Sequence, residues 1–303
     1  MLTTTSILSN RDETLVTPPC ALNAIEVKGL YKSYGSNSVI HGIDLTVAKG
    51  EIFALLGPNG AGKTTVVEIL EGHRNRTKGH VQVLGYDPEK AGSPFRARIG
   101  IVLQSSAVYQ RLRVEQILRL FAGYYTSPRD PEEVIALVGL TEKMRTRVGR
   151  LSGGQLRRLD LALALIGDPD LIFLDEPTTG FDPAARRHAW ETITNLRQLG
   201  KTILLTTHYL DEAQQLADRI AILSSGKIIM EGTPDELLAA STKTKILYKK
   251  NGKLVVLNTQ SPTKILNELT SESIKRGEEI ENLEVQRPSL EDLYLDLVKD
   301  DEE

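Results

Sequence analysis

Two glycine-rich turns and a pair of adjacent carboxylates are the features of this sequence that point to chemistry on phosphate groups. The first turn, G-P-N-G-A-G-K-T at residues 57–64, follows an apolar run and precedes a helical pattern. Glycines in such a turn let backbone N–H groups face phosphates, and the helix N-terminus adds positive potential. Lys63 is placed to reach the β and γ phosphate oxygens. The predicted phosphate-binding residues are Gly57, Pro58, Asn59, Gly60, Ala61, Gly62, Lys63, Thr64 and Thr65.

The adjacent carboxylates, Asp175 and Glu176, stand at the end of the apolar run L-I-F-L-D. A buried carboxylate is costly unless a metal or hydrogen bonds satisfy it, and the Mg²⁺ of a bound nucleotide is the natural counter-ion for Asp175. The hydroxyl of Thr64 is a second predicted Mg²⁺ ligand. Glu176 follows at the strand tip, where we expect it to polarise the water that attacks the phosphate.

The second glycine-rich turn is L-S-G-G-Q at residues 151–155. Ser152 is a natural N-cap for a helix that begins near Gln155, and Gly153 and Gly154 expose backbone N–H groups close to that positive helix end. Such an end attracts phosphate. Because residues 57–64 already enclose the phosphates of their own chain, we expect the second turn to serve a nucleotide bound by another copy.

Three continuous apolar runs predict the strands that position these groups: Ile52–Gly57, Leu171–Asp175 and Thr202–His208. Unbroken apolar runs are typical of parallel strands that are covered on both faces. Each run precedes a helical pattern, at residues 63–71, 184–199 and 209–218. Strands alternating with helices indicate right-handed βαβ crossovers and an α/β layer fold.

The remaining segments predict three additions to this core. Alternation from Ala24 onward indicates an antiparallel β subdomain, and a helical insertion follows at about residues 105–167. Two strands around Ser224-Ser225-Gly226 are followed by a capping box at Thr233, whose helix closes the nucleotide-binding domain, residues 24–240, near Ala240. Residues 241–303 read as a small α+β unit. Its predicted elements are a hairpin at residues 245–257 that turns at Asn251-Gly252 and a terminal helix with Leu290, Leu293 and Leu297 on one face.

Composition limits the classes of function. The 303 residues are 40% hydrophobic and carry a net charge of −3, which disfavours nucleic acid as a partner. Residues 1–23 read as a flexible tail without the apolar core of a signal peptide, and the single cysteine, Cys20, fits a reducing compartment. No apolar run approaches the ~18 residues of a spanning helix, so a membrane role requires a partner.

In combination, G-P-N-G-A-G-K-T, L-S-G-G-Q, L-I-F-L-D-E-P and a later His208 resemble the nucleotide-binding subunits of ABC transporters. The resemblance covers roughly residues 25–238 and implies a P-loop NTPase fold and hydrolysis of ATP with Mg²⁺. By position, it implies that Tyr34 stacks on adenine, that Gln104 contacts Mg²⁺ and water, and that His208 holds the γ-phosphate and the water beside Glu176.

The resemblance also implies an assembly. In the family, two subunits pair head to tail and sandwich ATP between one phosphate loop and the opposite L-S-G-G-Q turn, with Asp182 in a loop that faces the second subunit. Phe181 stands where leucine is most common, which affects local packing. The implied partners are a second copy of the chain and integral membrane permease subunits, which places the chain in the cytoplasm, on the inner face of the membrane.

E-G-H at residues 71–73, the T-T-G-F-D-P loop at residues 178–183 and the ending P-S-L-E-D-L-Y-L-D-L resemble bacterial drug-exporter-type ATPases, which implies export of a hydrophobic compound such as an antibiotic. An import ATPase is an alternative, and a cognate extracellular solute-binding protein would distinguish it. A soluble ABC ATPase that acts on ribosomes or DNA is another. The single cassette without heptad arrays argues against this class. A GTPase is disfavoured because no N-K-x-D or T-K-x-D motif occurs.

Overall fold

The computed structural model describes residues 23–102, 109–240, 244–250, 252–286 and 293–294. Several predictions fall outside these ranges: the tail at residues 1–22 with Cys20, Gln104, Asn251, Leu290 and Leu297. The domain boundaries stay predictions. Within the described ranges, no helix combines the length and the apolar character that crossing a bilayer requires.

The elements of the described residues alternate along the chain much as the sequence predicts. The strands are β1 (Asn23–Tyr34), β2 (Asn37–Ala48), β3 (Ile52–Leu56), β4 (Lys78–Val83), β5 (Ile99–Val102), β6 (Leu171–Asp175), β7 (Thr202–Thr207), β8 (Arg219–Ser224), β9 (Lys227–Gly232), β10 (Thr244–Lys250), β11 (Lys253–Thr259) and β12 (Glu281–Gln286). The helices are α1 (Lys63–Leu70), α2 (Ser93–Arg96), α3 (Val114–Ala122), α4 (Pro131–Leu137), α5 (Gly153–Leu165), α6 (Pro183–Gln198), α7 (Leu210–Leu216), α8 (Pro234–Ala240) and α9 (Pro262–Arg276).

The central sheet places the three predicted apolar strands side by side. In the described residues its order is β5-β6-β7-β3-β8-β9, and every neighbouring pair is parallel except β8 with β9. All residues of β3 and β7 are buried, as are the first four of β6. The prediction of central parallel strands covered on both faces is therefore confirmed.

Alternate residues of β3 enter two different hydrophobic clusters. Ile52, Ala54 and Leu56 face a cluster formed with the helices α3–α8, whereas Phe53 and Leu55 face a cluster formed with α1 and the antiparallel strands β1, β2 and β4. Successive side chains of a strand point to opposite faces, so an apolar run fills both layers. The central sheet is thus the shared wall of two hydrophobic cores.

The antiparallel β subdomain and the helical insertion are both present. Strands β2, β1 and β4 form an antiparallel sheet in that order, although β4 and the short helix α2 were not predicted. Described residues of the insertion contain α3, α4 and two 3₁₀ turns before α5. Helix α5 begins at Gly153, two residues before the predicted start near Gln155 and directly after its predicted cap, Ser152.

The segment after α8 forms a second small sheet in the order β11-β10-β12, with α9 contributing contacts to β10. The predicted hairpin is confirmed by the pairing of Lys250 with Lys253. Helix α9 was not predicted, although Pro262 at its start and Gly277 in a left-handed C-cap are recognisable signals. The capping box at Thr233 is confirmed, because Thr233 and Glu236 exchange side-chain to backbone hydrogen bonds of 3.2 and 2.8 Å.

Two described residues of the predicted terminal helix, Leu293 and Tyr294, are helical and return to the core of the nucleotide-binding region. Leu293 is 6% exposed and belongs to the same cluster as Ile220 and Leu237. Leu293 and Tyr294 therefore pack on the main body of the chain.

We predict that Leu293→Ala lowers the free energy of unfolding by about 2–4 kcal/mol, because it removes buried methyl groups and leaves a cavity. Urea unfolding followed by circular dichroism measures this change. Ile274→Ala is the matched control: it makes a similar truncation at a side chain that is 79% exposed, and we expect an effect within about 0.5 kcal/mol. Equal effects of the two substitutions would contradict the packing of Leu293.

Candidate functional site

The site lies where the carboxyl ends of β3, β6 and β7 meet. Parallel pairing aligns Leu56 with Thr207, and Asp175 with Thr206. The phosphate loop follows β3, the two carboxylates end β6, and His208 follows β7. Groups that are far apart in the sequence therefore share one edge of the sheet, as expected for open α/β folds.

A cavity of about 500 Å³ opens above the phosphate loop. It is lined by Val39, Pro58, Asn59, Gly60, Gly62, Lys63, Thr64, Thr65, Asp175, Glu176, Thr179 and His208. Gly62, the N-cap of α1, has φ of 107°, a conformation that other residues rarely adopt. A Cβ at Gly57 would lie 2.4 Å from the carbonyl oxygen of Leu223, so only glycine fits there. The loop shape thus depends on its glycines.

Lys63 is held inside the loop that it closes. Its ammonium donates hydrogen bonds to the carbonyl oxygens of Gly57 (2.7 Å) and Pro58 (3.1 Å) and lies 4.0 Å from Glu176 Oε1. Burial lowers the pKa of Lys63, while the carboxylates of Glu176 and Asp175 oppose this shift. The side chain is 6% exposed and lines the cavity.

The two carboxylates are fixed by the neighbouring strand. Thr206 Oγ1 donates to Asp175 Oδ1 at 2.5 Å, and the backbone N–H of Glu176 donates to both Oγ1 and the carbonyl oxygen of Thr206 at 3.1 Å each. Glu176 has φ of 46°, in the left-handed region that non-glycine residues seldom occupy. The strained backbone turns the Glu176 side chain towards the phosphate loop.

Glu176 and His208 form a pair beside Lys63. His208 Nδ1 and Glu176 Oε1 are 3.1 Å apart, and Thr179 Oγ1 donates to Glu176 Oε2 at 3.2 Å. A carboxylate fixed by an imidazole and a threonine hydroxyl beside a lysine is suited to orient a water molecule against a phosphate. The residues predicted as catalytic, Lys63, Glu176 and His208, therefore line one cavity together with the predicted Mg²⁺ ligands Thr64 and Asp175.

The L-S-G-G-Q turn lies apart from this cavity. Ser152 accepts a hydrogen bond from the Gln155 backbone, and the Gln155 side chain accepts one from Ser152, which confirms the predicted N-cap. Ser152, Gly153 and Gly154 line a separate cavity of about 690 Å³ with Asp182. Among the lining residues of the two cavities, Glu176 and Thr179 are shared. The second turn therefore does not cover the phosphate loop of its own chain.

The other predicted residues lie at the periphery of the site. Asp182 caps α6 through bonds of 3.0 and 2.8 Å from the backbone of Ala184 and Ala185. Tyr34 is 41% exposed, outside the lining of the phosphate cavity, with the Lys32 ammonium 4.8 Å and the Arg74 guanidinium 5.2 Å from its ring centre. The Tyr34 ring is thus partly exposed with two cationic groups over it, and its stacking on adenine stays a prediction. Gln104 lies outside the described residues.

Four residues near the site were not predicted. Thr206 and Thr179 bind the two carboxylates, and Arg157 of α5 donates to backbone carbonyls of the loop that holds Glu176. Glu71, predicted only as part of a sequence resemblance, is 5% exposed, and burial raises its pKa to about 8, with added repulsion from Asp175. The doubled threonine before His208 was the one local sequence signal for any of these residues. Arg157 contacts the backbone of Asp175, and Glu71 lies near enough to Asp175 for charge repulsion, only because the chain packs them there.

Comparison with known proteins relates these features to a family. Residues 40–179 match the family model of the ABC transporter. A daunorubicin resistance ATP-binding protein, DrrA3, of Streptomyces coeruleorubidus is 37% identical, over 92% of this chain and 96% of the relative. A Nod factor export ATP-binding protein I of Rhizobium johnstonii is 44% identical, over 71% of each chain.

A solved structure shares the fold. It is a dimeric ATP-binding cassette in a post-hydrolysis state with ADP and phosphate, 24% identical, with a TM-score of 0.62 over 69% of this chain and 98% of that one. The P-loop core with its antiparallel sheet fits the ABC transporter family, and so does the sequence similarity along nearly the whole chain. This chain belongs to the ABC transporter family, as one of its ATP-hydrolysing, ATP-binding subunits.

Proposed function

We propose that this chain energises export of a small hydrophobic compound by hydrolysing ATP at sites shared between two copies, on the cytoplasmic face of a membrane that holds separate permease subunits. The observation that carries the proposal is the convergence of Lys63, Glu176 and His208 on one cavity, with the L-S-G-G-Q turn on another. The three converging residues account for the hydrolysis, and the separate position of the L-S-G-G-Q turn accounts for the need for a partner.

The cavity above the phosphate loop suits a triphosphate with its metal. No side chain caps α1, so the backbone N–H groups of its first turn point to the loop, and the turn contains no acidic residue. Thr64 and Asp175 line the same cavity and supply the oxygen ligands that Mg²⁺ prefers, with Gln104 as a further proposed ligand. When bound, Mg²⁺ would neutralise negative charge on the phosphates.

Glu176 is the proposed base for the attacking water. Its Oε1 is bonded to His208, and its Oε2 accepts from Thr179, so the carboxylate is fixed in position. Phosphoryl transfer depends mainly on positioning and electrostatic stabilisation, which suits a preorganised carboxylate near a lysine. Lys63 would stabilise charge on the phosphate oxygens, and His208 would hold the water and Glu176 in line.

The L-S-G-G-Q turn is proposed to bind the nucleotide of the other copy. Its N–H groups at Gly153 and Gly154 and the start of α5 favour an anion, and Ser152 is exposed at this helix end. Asp182, on the rim of the same cavity, would face the partner. The dimeric state of the solved ATP-binding cassette supports this arrangement.

The direction of transport is proposed from the relatives. One is a daunorubicin resistance protein and the other a Nod factor export protein. Both names favour export over the alternative of import, and both proteins are described as ATP-binding components. The proposed substrate is a small hydrophobic compound that separate membrane subunits transport.

We predict that Glu176→Gln lowers kcat for ATP hydrolysis by about 10²–10⁴-fold while the dissociation constant for ATP stays within about twofold. The amide keeps the size of the side chain and removes the base. Phosphate release measures kcat, equilibrium binding of labelled ATP measures affinity, and light scattering measures dimers, which we expect to accumulate.

Glu132→Gln is the control for this prediction. It makes the same chemical change at a residue of α4 whose side chain is 63% exposed, and we expect wild-type kinetics. Hydrolysis by Glu176→Gln at the wild-type rate, or a purely monomeric species with ATP, would contradict the proposed role.

We predict that Ser152→Arg abolishes ATP-driven dimers in the Glu176→Gln background while the isolated monomer binds ATP with unchanged affinity. A bulky cation at the L-S-G-G-Q turn blocks the partner's nucleotide but lies outside the chain's own phosphate cavity. Light scattering and monomer titrations provide the two readouts.

Ser152→Ala separates blocking from loss of the helix cap. It also removes the bond from Gln155, at a cost of about 1 kcal/mol, without adding bulk. We expect this variant to retain ATP-driven dimers. A loss of monomer affinity in Ser152→Arg equal to the loss of dimers would place the turn in the chain's own site and refute the shared arrangement.

A further inference from the structure

The side chain of Arg157, in the first turns of α5, lines the cavity of the L-S-G-G-Q turn and contacts the backbone of the loop that carries Glu176. Its guanidinium donates hydrogen bonds to the consecutive carbonyl oxygens of Asp175 (2.8 Å), Glu176 (3.3 Å) and Pro177 (3.4 Å). Helix α5 is the helix whose N-terminus is the L-S-G-G-Q turn, capped by Ser152. One rigid element therefore ends in the turn and holds the backbone that carries Glu176.

The hydrogen bonds from Arg157 hold a backbone segment that includes the strained residue Glu176. The backbone N–H of Glu176 is held by Thr206. The carbonyl oxygens of residues 175–177 are held by Arg157. Residue 176 has a left-handed φ of 46°, which persists only where surrounding contacts impose it. A planar guanidinium with several donors is suited to hold consecutive carbonyl groups at once, whereas an ammonium is a compact point charge.

The guanidinium of Arg157 is partly buried and lies near several carboxylates. Burial lowers the pKa of this guanidinium, and the carboxylates of Asp160, Asp175 and Glu212 oppose the shift. The same guanidinium joins α5 to three consecutive carbonyl oxygens of the loop through hydrogen bonds. Movement of α5 would therefore be transmitted to the loop at residues 175–177.

We propose that Arg157 is a positioning residue that couples the L-S-G-G-Q turn to Glu176 of the same chain. This inference rests on the proposed function, in which the turn binds the partner's ATP while Glu176 serves the chain's own ATP. Occupancy of one shared site is then transmitted through α5 and Arg157 to the base of the other site. The coupling adds to the cooperativity that shared sites already impose, because the base of each copy is fully positioned only when the other site is loaded.

The test compares Arg157→Lys with wild type in the purified full-length chain. Lysine retains the positive charge but cannot hold three carbonyl groups in one plane. We expect kcat to fall by roughly 10–100-fold and the Hill coefficient for ATP to drop towards unity, with monomer affinity for ATP unchanged within about twofold. Arg157→Gln is the second variant, in case the buried ammonium prevents folding, and we expect the same loss of cooperativity.

Arg158→Lys is the matched control. Arg158 is the next residue on α5, but its guanidinium donates to the carbonyl oxygen of Gly139 (3.1 Å), within the helical insertion. We expect wild-type kcat and cooperativity from this variant. A role of Arg157 in stability alone would lower the unfolding midpoint and the fraction of active protein, and would leave the Hill coefficient of the active fraction unchanged.

The outcomes separate the coupling from the proposed function. Unchanged cooperativity in folded Arg157→Lys and Arg157→Gln would overturn the coupling and leave the shared site intact. Hydrolysis by a wild-type monomer, or full activity of Ser152→Arg, would instead overturn the shared site itself. Lost cooperativity in both Arg157 variants with a normal Arg158→Lys supports the inference.

Discussion

The parallel pairing of β3, β6 and β7 is the constraint on which the rest of the structure depends. Parallel strands end at the same edge, so the loop after β3, the carboxylates at the end of β6 and the histidine after β7 must meet. Each strand is buried on both faces, and its side chains fill two cores at once. Hydrophobic packing of these strands therefore holds the site in place, although the packed side chains have no catalytic role.

Glu176 illustrates how that rigidity is used. Strand β7 supplies Thr206 to its amide, helix α5 supplies Arg157 to its carbonyl, and Thr179 and His208 hold the carboxylate. A strained φ is stable there because contacts from three directions impose it. The position of this carboxylate consequently depends on the central sheet and on the helix that begins in the second glycine-rich turn.

Local signals in the sequence were sufficient for much of the fold. Apolar runs located β3, β6 and β7, the predicted N-cap at Ser152 located the start of α5 to within two residues, and the capping box at Thr233 located the start of α8. Strand β12 is exposed along its whole length, so it has no apolar pattern to reveal it and forms because it pairs with β10. Helix α9 had recognisable start and stop residues, yet none of its side chains is buried, which weakens its periodicity.

By itself, the sequence determined the chemistry of the site, because a phosphate loop, a strand-end carboxylate pair and a capped glycine turn are contiguous motifs whose residue types dictate their behaviour. The tertiary structure decided which of these groups share a cavity. It placed Lys63, Glu176 and His208 together, set the L-S-G-G-Q turn apart, and brought Arg157 to the Glu176 backbone. Such contacts join residues far apart along the chain, and only packing of the sheet against α5 fixes their distances.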